Sequence, residues 1–114
     1  MISIVDIGGD MLAKKSLELL TESMFYVLMS FSKGEMCGIE IVKFIQEKTK
    51  CRIIIGPWTL YTILAKFEGE RLIKETKVEG RKRTYKVTEK GIEVYKNEVI
   101  RLKQCVQDGE SEVF

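Results

Sequence analysis

Side chains that can contact phosphate groups and base edges are concentrated in two short stretches of the chain. The first contains an indole, three hydroxyls and one ammonium group, in Trp58, Thr59, Tyr61, Thr62 and Lys66. The second is a cationic run of Arg81, Lys82 and Arg83. Hydroxyl and cationic groups bind phosphate oxygens, whereas amino groups, methyl groups and aromatic rings can contact base edges. The two stretches therefore predict a surface that binds a nucleic acid.

These side chains divide by the part of a duplex that suits them. The cationic run of residues 81–83 is expected to neutralise phosphates or to reach into the minor groove. The hydroxyls of Thr59 and Tyr61 are expected to bind backbone phosphates, which positions a helix without reading sequence. Base edges and thymine methyl groups are assigned to Trp58, Thr62 and Lys66.

The sequence lacks the residue types and motifs that most catalytic and metal sites use. It contains no histidine, and its three cysteines, Cys37, Cys51 and Cys105, are far apart. Zinc sites and Ser–His or Cys–His nucleophiles are therefore not expected. No paired-acid or phosphate-loop motif is present, which favours a protein that is not an enzyme and that holds no cofactor or metal. We interpret the cysteines as small buried side chains in a reducing compartment.

Positive charge is concentrated in one part of the chain, although the net charge is only +2. Residues 71–90 contain eight basic and three acidic side chains, so the other residues are net negative. This distribution is typical of a phosphate-binding surface, but a charge run alone is more often simply solvated. No apolar run approaches the roughly 18 residues of a membrane span, and no signal-peptide pattern opens the chain. A cytoplasmic protein with no membrane partner is expected.

The first stretch lies on a predicted helix that begins at Pro57, because proline fits a first helical position. An apolar stripe follows at i, i+3, i+4 and i+7, in Leu60, Ile63, Leu64 and Phe67. The predicted nucleic-acid contacts then occupy the outer face and its flanks. An ordinary amphipathic helix has the same pattern, so the neighbouring elements must decide between the two interpretations.

Three helical segments and a short strand are predicted before this helix. Asp10 can cap a helix through Met11, Leu12, Leu17 and Leu20. Thr21 can cap a second helix, which buries Met24, Phe25, Leu28 and Phe31 and closes at residues 32–34. Gly38 begins a third, with Ile41, Val42 and Ile45 inward. Residues 51–55 are rich in isoleucine and predict a short β-strand.

A β-hairpin and a long helix are predicted after it. Extended runs flank a turn at Glu79 and Gly80, so residues 80–83 are expected at the hairpin tip. Thr88 can cap a final helix whose apolar residues repeat as a heptad seam, in Ile92, Tyr95, Val99, Leu102 and Val106. We expect this seam to form a homodimer, although it could instead pack on its own domain. The acidic tail is expected to be disordered.

Helices, a strand and a basic hairpin in this order predict a winged helix-turn-helix, an α+β fold that is mainly α. Residues 1–20 would form an N-terminal arm and helix, 21–87 the DNA-binding domain, 88–108 a dimerisation helix and 109–114 the tail. The third core helix would enter the major groove and the wing would grip the adjacent backbone. Helix order and basic wing support each other and favour nucleic-acid binding.

Several motifs resemble the PadR family of bacterial winged-helix transcriptional regulators over about residues 12–106. They are Gly38-Ile39-Glu40-Ile41, Thr59-Leu60-Tyr61 and the pattern from Gly80-Arg81-Lys82-Arg83 through Tyr85 and Thr88 to Gly91. The resemblance implies a homodimer that binds operator DNA, in most members as a repressor, and that releases it on a signal such as a small molecule. The single C-terminal helix resembles the short branch, which includes multidrug-sensing repressors.

Four positions depart from the family pattern. Ile39 stands where tyrosine is frequent, Trp58 replaces a small residue, and Thr62 stands where proline is common. Leu102 occupies the place of the tryptophan that stacks on drugs in the multidrug-sensing members. The resemblance therefore implies a regulator whose effector is not a planar drug bound by tryptophan. The alternative is a winged helix used only for contact with an acidic protein partner.

Overall fold

Four helices and a three-stranded antiparallel sheet form the part of the chain that the computed structural model describes, residues 20–114. The helices are α1 (Glu22–Ser30), α2 (Gly38–Thr49), α3 (Pro57–Gly69) and α4 (Glu89–Glu110). The strands are β1 (Met36–Cys37), β2 (Ile73–Glu79) and β3 (Lys82–Val87). This order is the predicted winged helix, which is confirmed. The helix predicted through Met11 lies outside the described residues.

Helix α3 is held by the apolar stripe that the sequence predicts. It begins at Pro57, and Leu60, Ile63, Leu64 and Phe67 are all buried in the core. Phe67 has no exposed surface at all. Because one face of α3 is buried in the core, the opposite face must point toward solvent.

Helix α1 is capped as expected, and the chain then turns sharply toward the sheet. The backbone N–H of Met24 donates to Thr21 Oγ1 at 3.1 Å. After α1 a short 3-10 helix (Phe31–Lys33) leads to Gly34, whose φ of 115° favours glycine. This closes the helical segment where the sequence indicates.

The strand predicted at residues 51–55 is wrong. Lys50 and Cys51 have left-handed backbone conformations, with φ angles of 52° and 64°. The Cys51 N–H donates to the carbonyl of Gln46 at 2.8 Å. The Ile53 N–H donates to Thr49 Oγ1 at 3.1 Å. These backbone donors terminate α2, so they are not available for a strand ladder.

The third strand comes instead from β1, which the sequence pattern did not predict. Met36 pairs with Tyr85 and Cys37 with Thr84, and the strand order is β1-β3-β2. Two residues are too few for an alternating pattern to be recognised. The central position of β3 secures the hairpin to the helical core.

The β2–β3 hairpin forms the predicted wing, with one difference at its tip. Only Gly80 and Arg81 lie in the turn, and Gly80 has a φ of 64°. Lys82 and Arg83 are instead the first residues of β3. The ladder also contains an irregularity between Glu75 and Lys77, where Thr76 has no partner of its own on β3. Such a bulge re-aims the side chains that precede it.

Helix α4 begins at the predicted cap and continues two residues beyond the predicted boundary at 108. The Gly91 N–H donates to Thr88 Oγ1 at 3.1 Å. The helix ends at Glu110, where the Ser111 hydroxyl donates to the carbonyl of Asp108. Within residues 20–114, no helix has the length and apolar character needed to cross a membrane.

Candidate nucleic-acid interface

A groove of about 980 Å³ runs between the N-terminus of α2, the outer face of α3 and the wing. Helix α3 contributes Tyr61 and Ala65, and α2 contributes Ile39 and Glu40. The opposite wall consists of residues 80–83 and Tyr85. The cationic run of residues 81–83 and one residue of the first stretch, Tyr61, therefore line one concave surface although they are far apart along the chain.

The predicted contact residues of α3 are all exposed. Trp58 and Tyr61 retain 83% and 66% of their accessible surface, although both are large and partly apolar. Thr59, Thr62 and Lys66 are also exposed. Only Tyr61 of these five lines the groove itself, while the others lie on the solvent-facing surface of the helix. Exposed aromatic side chains on a helix whose other face is fully buried indicate a contact surface.

Thr62 has one specific internal hydrogen bond. Its hydroxyl donates to the carbonyl oxygen of Trp58 at 2.9 Å. The proton of this hydroxyl is therefore in use, whereas its oxygen can still accept a hydrogen bond and its methyl group can contact a thymine methyl. Lys66 forms no ion pair or hydrogen bond with the described residues, so its ammonium group is available to an external partner.

The three cationic side chains of the wing have different environments. Arg83 Nε lies 3.4 Å from Glu75 Oε2. The pKa of Arg83 is raised, first by the hydroxyl of Tyr85 and then by the charge of Glu75. Lys82 acts electrostatically on Glu40. Arg81 lies in the turn and is exposed, and it has no ion pair or hydrogen bond within residues 20–114.

Two carboxylates also line the groove, Glu40 and Glu68. Glu40 accepts a hydrogen bond from the backbone N–H of Cys37 at 2.9 Å and so helps to cap α2. This hydrogen bond is the main reason why the pKa of Glu40 is lowered, with a smaller contribution from Lys82. Glu40 is thereby held as an anion beside the wing, which limits how closely a phosphate can approach that end.

Sequence reasoning missed Ile39 as part of this surface. Its side chain is 82% exposed at the second position of α2 and lines the groove opposite the wing. The sequence did contain a signal for it. Ile39 lies two residues before the inward-facing Ile41 and therefore outside the apolar stripe of α2, so its side chain is expected in solvent.

The predicted dimer seam on α4 is divided between two environments. Tyr95 stacks on Phe25 of α1 with ring centroids 5.2 Å apart, so this residue packs on its own domain. Further along, Val99, Leu102 and Val106 line an open groove of about 370 Å³ together with Phe25. Ile92 and Val106 retain 41% and 56% exposure. The C-terminal half of the seam therefore has apolar surface that no residue of the described range 20–114 covers.

An ion pair between a buried carboxylate and a partly exposed arginine lies on the same helix. Glu98 is only 7% exposed, and Arg101 donates to it from Nε at 3.0 Å and from a terminal nitrogen. The pKa of Arg101 is raised, chiefly by this hydrogen bond to Glu98.

Comparison with protein-family models matches residues 27–97 to the transcriptional regulator PadR-like family. The match covers more than half of the chain and includes α2, α3, the wing and the first part of α4. The chain belongs to the PadR-like family. Members of this family are DNA-binding transcriptional regulators and not enzymes.

Solved structures show the same fold. A transcriptional regulator from Clostridium thermocellum is 29% identical, with a TM-score of 0.71 over 80% of this chain and 92% of that chain. A PadR-like transcription factor from Bacteroides fragilis is 20% identical, with a TM-score of 0.65 over 77% and 86%. BpsR from Bordetella bronchiseptica is 18% identical, with a TM-score of 0.63 over 86% and 66%. A comparison with curated protein sequences gives no match.

Proposed function

We propose that the chain is a cytoplasmic, sequence-specific DNA-binding repressor that binds a pseudo-palindromic operator as a homodimer. The observation that carries this proposal is the shared groove, in which Tyr61 and Ala65 of α3 lie opposite the cationic residues of the wing, with the rest of the outer face of α3 exposed beside it. A duplex can then contact a helix in its major groove and the wing on its adjacent backbone at once.

Each exposed group has a role in this arrangement. Thr59 and Tyr61 bind phosphates through their hydroxyls and set the register of α3. Trp58, Thr62 and Lys66 reach base edges, with the methyl and indole groups suited to thymine methyls and the ammonium group to guanine. Arg81, Lys82 and Arg83 supply the sequence-independent, salt-sensitive part of the affinity.

The homodimer uses the seam of α4, where Val106 is exposed and the partly buried Val99 and Leu102 line an open groove. Two copies would present their α3 helices about 34 Å apart, one turn of DNA. An effector would bind between α1 and α4, where the open apolar groove lies against this seam. In BpsR, a neighbour in fold, DNA binding is regulated by 6-hydroxynicotinic acid. Since α4 contains no tryptophan, it offers no indole on which a planar drug could stack.

The wing is tested by replacing Arg81, Lys82 and Arg83 together with alanine. Affinity for all duplexes should fall alike, and the slope of log affinity against log salt should decrease by about one for each phosphate that the variant no longer neutralises. A matched control replaces three lysines that do not line the groove, Lys33, Lys48 and Lys96. Fluorescence anisotropy of a labelled duplex across a salt series measures the affinity and the salt slope of each variant.

Two results would contradict the proposal. An unchanged salt slope in the wing variant would show that the wing does not touch DNA. If the unaltered protein shows no salt-dependent binding to duplex DNA, the surface serves an acidic protein partner instead, which is the second candidate function.

A further inference from the structure

We propose that Glu75 is a positioning residue that holds the guanidinium of Arg83 toward the DNA backbone. This inference rests on the proposed function, since it assumes that the wing binds duplex phosphates. It assigns a role in binding to a carboxylate that would by charge alone repel DNA.

The strand register brings Glu75 onto the same face as Arg83. Tyr85 is the direct partner of Glu75, and Arg83 lies two residues before Tyr85 on β3, so all three side chains share one face. Glu75 precedes the bulge at Thr76, while Val78, the partner of Arg83, follows it. Without the extra residue, two positions three apart could not project from the same face.

The atoms in contact leave the useful part of Arg83 available. Glu75 Oε2 approaches Nε, the nitrogen nearest to the side-chain stem. The Tyr85 hydroxyl also interacts with the guanidinium, but the two terminal nitrogens form no hydrogen bond with a described carboxylate. A planar guanidinium can present such nitrogens side by side to a phosphate. The Arg83 side chain remains 62% exposed on the wall of the groove.

Breaking the contact with Arg83 would leave a buried oxygen of Glu75 without a compensating charge. Its Oε2 atom is buried and receives no hydrogen bond from the described residues, while the whole side chain is only 30% exposed. A buried carboxylate oxygen needs a compensating charge nearby, which here is Arg83. Glu75 thus restricts the rotamers of Arg83 before DNA arrives, so less side-chain entropy is lost on binding.

The experiment compares Glu75→Gln with Glu79→Gln. Both changes remove one negative charge from β2, but Glu79 pairs with Lys77 at 3.9 Å and is not in contact with Arg83. The probe is a fluorescein-labelled 30-base-pair duplex of mixed sequence at low salt. Glu75→Gln should weaken binding about threefold to tenfold relative to Glu79→Gln. If only the loss of a negative charge mattered, the two variants would bind the duplex with equal affinity.

A double-mutant cycle separates positioning from a general effect on the wing. In an Arg83→Gln background, Glu75→Gln should cause no further loss, because the side chain through which it acts is gone. As a second measurement, the Nε–H signal of Arg83 in a ¹⁵N NMR spectrum should be sharp in the unaltered protein and in Glu79→Gln. In Glu75→Gln it should broaden through exchange.

Each outcome has one meaning. Binding by Glu75→Gln that equals or exceeds that of Glu79→Gln overturns the inference and leaves the proposed function intact. The same applies to a loss of equal size in the Arg83→Gln background, or to an unchanged Nε–H signal. Failure of the unaltered protein to bind the duplex at any salt overturns the proposed function, and the positioning role with it.

Discussion

Single side chains on the outer face of α3 differ in what they can still offer to DNA. The Thr62 hydroxyl donates a hydrogen bond to the Trp58 carbonyl, whereas the ammonium group of Lys66 has no partner among the described residues. Thr59 lies nearer to the N-terminus of the helix, where hydroxyls and backbone amides together suit phosphate. These differences support the proposal that Thr62 and Lys66 read sequence and that Thr59 positions the helix.

Replacing Lys66 or Thr62 with alanine should therefore reduce specific binding more than non-specific binding. Removal of a direct interaction with one base costs roughly 1–3 kcal/mol in discrimination. The measurement compares an operator recovered by selection from a random library with a duplex of mixed sequence. Thr59→Ala is the matched control on the same helix and should weaken both equally. Equal losses for all three variants would make Thr62 and Lys66 backbone contacts.

Residue types alone predicted a set of contact side chains, of which Tyr61 and the cationic run of residues 81–83 line the groove, but they did not predict how neighbouring side chains change them. Arg81, Lys82 and Arg83 are a uniform cationic run in the sequence. The structure separates them because Arg83 faces Glu75 whereas Arg81 stands in the turn. This difference depends on a bulge at Thr76, and a single unpaired residue leaves no periodic pattern that could be recognised in advance.

Among the elements, those with strong local signals were predicted well. Pro57 and the apolar stripe defined α3, while Thr21 and Thr88 marked the starts of α1 and α4. The strand at residues 51–55 failed because three consecutive isoleucines indicate a strand by composition alone. The backbone N–H groups of Cys51, Arg52 and Ile53 are instead bonded to the end of α2, which composition does not reveal.

The junction between the wing and α4 offers a sharp test of packing between elements. A Cβ atom at Gly91 would lie 2.2 Å from the carbonyl oxygen of Leu72 and 2.7 Å from Val87 Cγ2. That carbonyl also accepts hydrogen bonds from the backbone and side chain of Thr88, which hold it in place. Gly91→Ala should therefore destabilise the protein by about 3 kcal/mol, as overpacking does when the neighbours cannot move. Thermal denaturation measures it.

Gly109 supplies the control within the same helix. A Cβ there would meet no atom within 4 Å. Gly109→Ala should leave stability unchanged or raise it by about 0.5 kcal/mol, since alanine favours the helix. If Gly91→Ala had the same melting temperature as Gly109→Ala, the backbone at Leu72 would have moved to accommodate the added methyl group, which would contradict the prediction.

Across the whole molecule, the start of α4 is tied to the segment that follows α3. The Thr88 hydroxyl lies 2.7 Å from the carbonyl of Arg71, and Lys90 donates to the carbonyl of Glu70 at 3.0 Å. Further along, Tyr95 stacks on Phe25 of α1. The orientation of α4 is thus fixed relative to α3, so a dimer built on α4 would also fix the spacing of two α3 helices.

The seam is tested at this scale by Leu102→Lys. Burial of a leucine side chain contributes about 1.5–3 kcal/mol, and a two-fold axis counts each change twice. Two lysines would also face each other in an apolar seam, where repulsion is poorly screened. The variant should be monomeric or unfolded at micromolar concentration, and if folded it should lose operator affinity because two half-sites no longer bind as one ligand.

Analytical ultracentrifugation decides between assembly and packing on the same domain. Ile100→Lys is the matched control, because Ile100 is 65% exposed on the same helix but outside the seam. It should remain dimeric. A monomeric unaltered protein, or a Leu102→Lys variant that stays dimeric, would contradict the role proposed for the seam.

The exposure of Trp58 has a practical consequence for optical spectroscopy. It is the single tryptophan of the chain, and it projects into solvent from the first turn of α3. Its indole is already exposed to water in the native state, so the wavelength of its emission maximum should change little when the protein is denatured. The same emission is sensitive to any surface that covers the ring. The protein thus carries a built-in fluorophore that is poorly suited to following denaturation and well suited to following occupancy of α3.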